Sequence, residues 1–567
     1  VTPWKRTAWI AGLWLWIPVL VGLIGLFFHM FMSGTKTTQV VTLWFQRSFL
    51  PRGDLFTLPA VTWLWVAIGL LLTALVLSFD EDGEFGLDWM SPWRSIAVVL
   101  LVLTGSGVIL MPVPSALWDN DKDRQRFYGS ATVFHVPSVT SPPASVAKLV
   151  EGSRRGKDGC DRIGRHDVRS CVKVDNGYPA LRWESRTSSL AAARTAMKAA
   201  ASPVAGVNVM ESTFAYQWGS SPNTGQWSAV LDGSGGGTPA YGVAQWDGRT
   251  NSAQVCRFGA GNRFERAFGG SGRNSLRNLL ADRHPDLIYT DKDIWGYCQG
   301  DRPVIVIAVQ RPLDHRQRTV TVAAGVLILE GSASGRPDIT HRPRVRPGEL
   351  PGPVYPISLV RTQRDAAQWA AGRGEYNNSF GLEPTGFQTQ QANPGEYLLR
   401  GADRRLYYVT PLTPRDTSSE LFVAYGIVPA DQVDSGRLNR YDLYTLADGD
   451  PNIADLNALY VKAKSVACAG TLEQFIPLGG QEWRVYGVDG GQTLCYIDVS
   501  VNGQVQPRTV QRPTEGTEET TPPPSGSEEP RPSKSQCGRS PTELGDRQLA
   551  ECLADFADEV RRRANRG

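Results

Sequence analysis

Nucleophilic catalysis needs a serine, threonine or cysteine beside a base, and the base is most often histidine. The chain has 6 histidines in 567 residues. His29 lies within an apolar run, and His135, His284 and His341 stand next to or near prolines. His166-Asp167 and Asp314-His315 are adjacent pairs, a spacing that does not aim an imidazole at a serine. Ser145-Val-Ala-Lys148 has the S-x-x-K spacing by which lysine can activate serine, but no S-D-N or K-T-G element follows it. G-x-S-x-G, H-E-x-x-H and Walker A patterns are absent. The sequence therefore assigns no catalytic residue.

Two acidic runs could hold a cation. Asp448-x-Asp450-x-Asn452 with Asp455 offers oxygens at alternate positions, as does Asp119-x-Asp121-x-Asp123. Calcium is the ion such oxygens suit, although both runs lack the sixth-position Gly and twelfth-position Glu of a calcium hand. No other cofactor is implied. Asp291 and Asp293, near Trp295, could pair as acid and base with another carboxylate, but loop solvation accounts for them better. A further group is aromatic: Tyr216, Trp218, Trp227, Tyr241, Trp246, Trp295 and Tyr297 concentrate in one stretch. Rings exposed on a sheet stack against sugars or a partner, which makes Trp218, Trp227, Trp246 and Trp295 candidate ligand contacts; buried, they would be core.

The 8 cysteines fall into close couples: Cys160 with Cys171, Cys256 with Cys298, Cys468 with Cys495, and Cys537 with Cys552. An even, locally paired set reads as disulfides, which require an oxidising compartment. No C-x-x-C occurs to suggest zinc or a redox site.

The elements that would carry these groups begin with three uncharged apolar runs, Ala8–Met32, Leu58–Phe79 and Ser95–Pro114. Each has roughly 20 residues, enough for a helix to cross a bilayer, so three transmembrane helices are expected within an anchor over 1–114. Positive charges around the runs mildly favour an outside N-terminus. The disulfides favour the opposite, because long domains translocate largely regardless of charge. The N-terminus is therefore placed in the cytoplasm and the bulk of the chain outside.

After the anchor, Pro and Ser around 136–143 suggest an extended stalk over 115–159. Two α+β domains with mostly antiparallel sheets are expected at 160–330 and 357–505. A Pro-, Gly- and Arg-rich linker, 331–356, separates them. The best hairpin signal is Glu482–Val488, the turn Asp489-Gly490-Gly491, and Thr493–Ser500. Residues 506–536 have the composition of a disordered linker, and 537–567 that of a small helical hairpin stapled by Cys537 and Cys552.

Abundant Arg, Ala and Gly suit a bacterial source. A net charge of +3 is too small to imply nucleic acid. The expected partners are a lipid bilayer and an envelope protein or wall polymer. The architecture suggests a membrane-anchored, non-enzymatic binding or scaffold protein of a bacterial envelope. The alternatives are a wall-acting hydrolase or transferase, and an accessory subunit of a secretion or transfer machine.

Overall fold

The computed structural model describes residues 60–78 and 92–110, parts of 125–137, 171–175, and most of 182–509, with its longest break at 368–396 interrupted only by 382–384. Of the first apolar run it describes Ile10, Gly12 and Trp14 alone. The chain divides into two units, Val1–Arg512 and Pro513–Gly567. The tail hairpin, Cys160, Cys537, Cys552, Ser145, Lys148 and the 119–123 acidic run lie outside the described residues.

The expectation of three transmembrane helices is overturned. Among the described residues no helix is long and apolar enough to cross a membrane. The second and third apolar runs form helices α1, Ala60–Ser78, and α2, Pro92–Leu110, of 19 residues each. Such a helix rises about 28 Å, against about 30 Å of hydrocarbon. The second also carries Arg94 near its start and the polar, glycine-containing run Thr104-Gly105-Ser106-Gly107 near its end. The two pack on each other through Ala74 and Val98, with Gly105 admitting Leu71.

The rest of the first unit is built of small, mostly antiparallel sheets arranged like the blades of a propeller. Sheet A has five strands: Val207–Val209, Ala215–Trp218, Gly225–Gly233, Gly242–Trp246 and Gln254–Arg257. Its backing helix α3, Leu190–Ala201, starts where Ser189 Oγ accepts the Ala192 N–H at 3.1 Å, a side-chain cap that satisfies an otherwise free donor. Ala192, Ala193 and Met197 face the sheet, and their small side chains allow close approach. Sheet B has four strands, Ile294–Gln299, Arg302–His315, Arg318–Glu330 and Asp338–Arg342. Before it comes α4, Leu276–Arg283.

Sheet C is seven-stranded. Leu382–Pro384, Tyr397–Arg400, Leu406–Pro414, Ala424–Pro429 and Tyr441–Thr445 pair antiparallel; Thr132–Pro137 then adds in parallel to Tyr441–Thr445, and Cys171–Asp175 in parallel to Thr132–Pro137. Helix α5, Ile357–Ala366, precedes it, and α6, Leu456–Lys464, follows. Sheet D has strands Thr471–Gly479, Glu482–Asp489, Gln492–Ser500 and Val505–Thr509. Its central hairpin is the one expected, and Gly490 and Gly491 both take positive φ, which a tight turn requires and glycine alone adopts at little cost.

Three non-local features depart from the sequence reading. Thr132–Pro137, expected in the stalk, is an inner strand of sheet C, pinned where His135 Nε2 meets Asp442 Oδ1 at 2.7 Å and its ring stacks on Tyr444 at 4.1 Å. The linker region holds Asp338–Arg342 on sheet B, and Arg344–Val345 pairs with Val433–Asp434. Val505–Thr509, at the start of the expected disordered linker, completes sheet D.

Contacts link the sheets in a circuit. The disulfide Cys256–Cys298 joins an edge strand of A to the first strand of B. Sheet B meets the connection between two strands of C where Gly436 N–H donates to the Ala323 carbonyl at 2.8 Å. Sheet C meets D where Tyr397 OH donates to the Phe475 carbonyl at 2.6 Å. Sheet D returns to the start of α3, where Gln474 Oε1 accepts the Leu190 N–H at 2.7 Å. The second disulfide, Cys468–Cys495, ties the segment after α6 to sheet D.

Candidate functional site

A cavity of about 270 Å³ lies where all four sheets meet. Phe214, Ala215, Tyr216 and Trp227 come from sheet A and its approach, Trp295 and Ala308 from B, Tyr397, Leu398 and Tyr408 from C, and Gln474 from D. Helix α3 adds Leu190 and Arg194, and α5 adds Ile357 and Arg361. The charged lining comprises Arg186, Arg194, Lys292 and Arg361 against Glu211 and Asp293. It is aromatic in character and net basic.

Arg186 reaches the cavity because its segment is held on both sides. Trp183 N–H donates to the Leu478 carbonyl at 2.9 Å and Glu184 N–H to the Arg400 carbonyl at 2.8 Å, threading the chain between sheets D and C. The Arg186 carbonyl then accepts from Arg484 Nη1 at 3.0 Å and Tyr486 OH at 2.9 Å. Its guanidinium carbon sits 4.4 Å from the Tyr216 ring centroid and 4.7 Å from that of Trp227. The two rings meet edge to face at 5.2 Å, and their π faces favour the cation.

The guanidinium is nonetheless poorly compensated. Arg186 is 3% exposed. Nη2 donates to the Leu398 carbonyl. Nε has no acceptor, and among the described residues no carboxylate lies within ion-pair distance. Burial pushes its pKa below the ordinary arginine range, and nearby Tyr216, Tyr486 and Tyr397 oppose that only in part. Two further donors in the lining, Nε1 of Trp227 and of Trp295, are buried without an acceptor. Arg194 Nε, which meets Glu211 as an ion pair without a hydrogen bond, is a fourth, and buried donors normally find partners, so four in one cavity lining are a feature to explain.

The carboxylates are committed elsewhere. Asp293 accepts from Thr290 N–H at 2.9 Å, Thr290 Oγ1 at 2.7 Å, Ser358 N–H at 3.2 Å and Ser358 Oγ at 2.7 Å, which nails the start of α5 to sheet B. Burial raises its pKa and these four bonds oppose the rise. Glu211 is paired to Arg194 Nε at 3.1 Å and Lys198 Nζ at 2.6 Å. Gln474 takes a φ of 53°, a left-handed conformation unfavourable for a residue other than glycine, at a register shift in the first strand of sheet D.

Of the residues singled out by sequence, the structure brings Tyr216, Trp227, Asp293 and Trp295 to this cavity. Trp246 is buried between sheet A and α3, and nothing is described of the Trp218 side chain. Asp455 caps α6, accepting from Asn457 N–H at 2.9 Å and Ala458 N–H at 3.3 Å; Asp448, Asp450 and Asn452 lie outside the described residues. Among the described residues no cluster of three metal-ligating side chains occurs. Asp291 pairs with Arg277 at 3.3 Å. Sequence reasoning did not find Arg186, and its only local signal is an arginine just before the capped start of α3.

No known protein family matches the chain, and no curated protein matches it in sequence. Fold and cavity together define a propeller-like protein, tied by two disulfides among the described residues, with an aromatic, net basic cavity where its sheets meet.

Proposed function

We propose that this chain is a non-catalytic binding protein on the outer side of a bacterial membrane, and that it takes a compact group of an envelope protein or wall polymer into the central cavity. The observation that carries this reading is the cavity itself, where four sheets converge on side chains held in place but not all satisfied. The two disulfides support an oxidising compartment. Exposed Trp93, Leu100 and Leu103 along α2 support attachment to a lipid surface. A volume near 270 Å³ suits one residue or one small molecule rather than a length of polymer. Catalysis is the less favoured reading, because Glu211 and Asp293, the carboxylates in the lining, are engaged by two cations and by four hydrogen bonds respectively.

A ligand-observed NMR screen of small sugars, amino acids and short peptides tests the reading. A Leu398→Trp variant, which fills the cavity, serves as the control. Ligands should bind the parent and be lost from the variant. Hits that bind both proteins equally, or a screen without hits, would refute it.

A further inference from the structure

We infer that the central cavity is a carboxylate site, in which the Arg186 guanidinium receives the carboxylate of a compact ligand whose apolar body rests against the surrounding aromatic rings. This rests on the binding reading above and names the chemistry of its ligand.

A guanidinium buried this deeply normally has a carboxylate beside it, since an isolated charge costs several kcal/mol to remove from water. Arg186 has instead two aromatic faces and one carbonyl. Those contacts fix the plane of the group and leave its charge unneutralised, the arrangement expected of a receptor arginine before its anion arrives. Arg484 excludes a simpler explanation, that this region tolerates unpaired arginines. It donates to the Arg186 carbonyl, and it forms a two-pronged pair with Asp498, Nε to Oδ1 at 2.6 Å and Nη2 to Oδ2 at 2.8 Å. Among the described residues the fold thus supplies an acid to one arginine and none to its neighbour.

The shape of the remaining lining selects the anion. The fork of N–H groups on a guanidinium matches a planar carboxylate. Trp227 and Trp295, on the adjoining sheets A and B, each bring an indole N–H without an acceptor among the described residues and a large apolar ring. Trp295 is held by a close approach at Gly352, where a Cβ would stand 2.7 Å from the indole. The apolar and aromatic walls favour a ligand with a hydrophobic body. The lining carries four cationic side chains against two carboxylates, and this net positive charge draws an anion in. The carboxylate can come from a free small acid or from the C-terminus of a peptide, and both present the same group.

Calorimetric titration of the full chain with N-acetylphenylalanine, with its C-terminal amide, and with the tripeptide Ala-Ala-Phe tests the inference. The acid should bind at least about tenfold more tightly than the amide, as loss of a charge-assisted hydrogen-bond pair requires. An Arg186→Gln variant should bind the acid and the amide equally weakly, with its near-UV circular dichroism unchanged. Arg186→Lys, which keeps the charge and loses the fork, should fall between. Binding of the tripeptide as tight as that of the acid identifies a chain end as the source, whereas exclusion of the tripeptide identifies a free acid. Equal binding of acid and amide to the parent, both lost in Leu398→Trp, would overturn the carboxylate assignment and leave the binding reading standing. No binding of any of the three would overturn the assignment as well, while the broader screen alone decides the binding reading. If Arg186→Gln fails to fold, the acid-to-amide ratio in the parent still decides.

Discussion

Two buried arginines lie side by side in this protein, joined by a single hydrogen bond from the Arg484 side chain to the Arg186 carbonyl. In the region of sheet D, Arg484 is matched by Asp498 in fork geometry. Burial lowers its pKa, and the hydrogen bond to Asp498, together with nearby Tyr486 and the Asp498 charge, more than reverses that. In the cavity, Arg186 has no such acid among the described residues, and its pKa stays lowered. The first arrangement is complete and belongs to the architecture. The second is complete only when something else supplies the negative charge. Burial alone therefore does not mark a functional arginine, whereas burial with the counter-charge withheld does.

The largest expected effect comes from separating the sheets that wall the cavity while leaving the Arg484–Asp498 pair alone. Cys256 and Cys298 are 42 residues apart. Replacing both with serine should cost about 4 kcal/mol by loop-closure entropy. Urea unfolding measures the loss, and binding of the acid should weaken with it, because Trp227 and Trp295 stand on the two sheets so joined.

Next comes Asp498→Asn, which makes Arg484 resemble Arg186. It leaves a buried cation unpaired and should cost about 3 kcal/mol. Urea unfolding at pH 7 should show the drop with the slope unchanged.

Asp232 sharpens the comparison from the opposite sign. It is a largely buried acid whose hydrogen-bond partners are the backbone N–H groups of Gly233, Phe268 and Gly269, and burial pushes it up to about 6. Its folded value exceeds the unfolded value of about 3.9, so the folded state binds the extra proton between the two. Stability should fall as pH rises from about 4 to about 6 and remain reduced above that. Asp232→Asn should raise stability by about 1–2 kcal/mol at pH 7.5 and change it little at pH 3.5. Thermal melts of both proteins across this range measure the difference.

The smallest effect is expected at Arg186 without ligand. Arg186→Met removes an uncompensated charge and retains an apolar stem against Tyr216 and Trp227, so stability should stay within about 1 kcal/mol of the parent. A loss as large as that of Asp498→Asn would mean that Arg186 is structural.

What was legible in the sequence was local. The Asp489-Gly490-Gly491 turn declared its hairpin because two adjacent glycines permit two positive φ angles. Cys256–Cys298 and Cys468–Cys495 were legible from proximity, and Trp227 and Trp295 from aromatic density. The apolar runs over α1 and α2 were legible as helices, but apolarity alone misled as to what they do. Illegible parts depend on distant pairing. Thr132–Pro137 reads as a stalk until Tyr441–Thr445, some 300 residues away, lies beside it. Arg186 gains its meaning from Leu398, Tyr216, Trp227 and Tyr486, and from the lack of an acid beside it among the described residues. No window of sequence holds those together.

The most direct measurement is the melting temperature of the parent and of Arg186→Met across a titration with N-acetylphenylalanine at constant ionic strength. A ligand that binds only the folded state stabilises it by mass action. The parent should rise steadily with concentration while Arg186→Met stays flat. Parallel rises in both proteins, or none in either, would contradict the assignment of Arg186 as the receptor of a carboxylate.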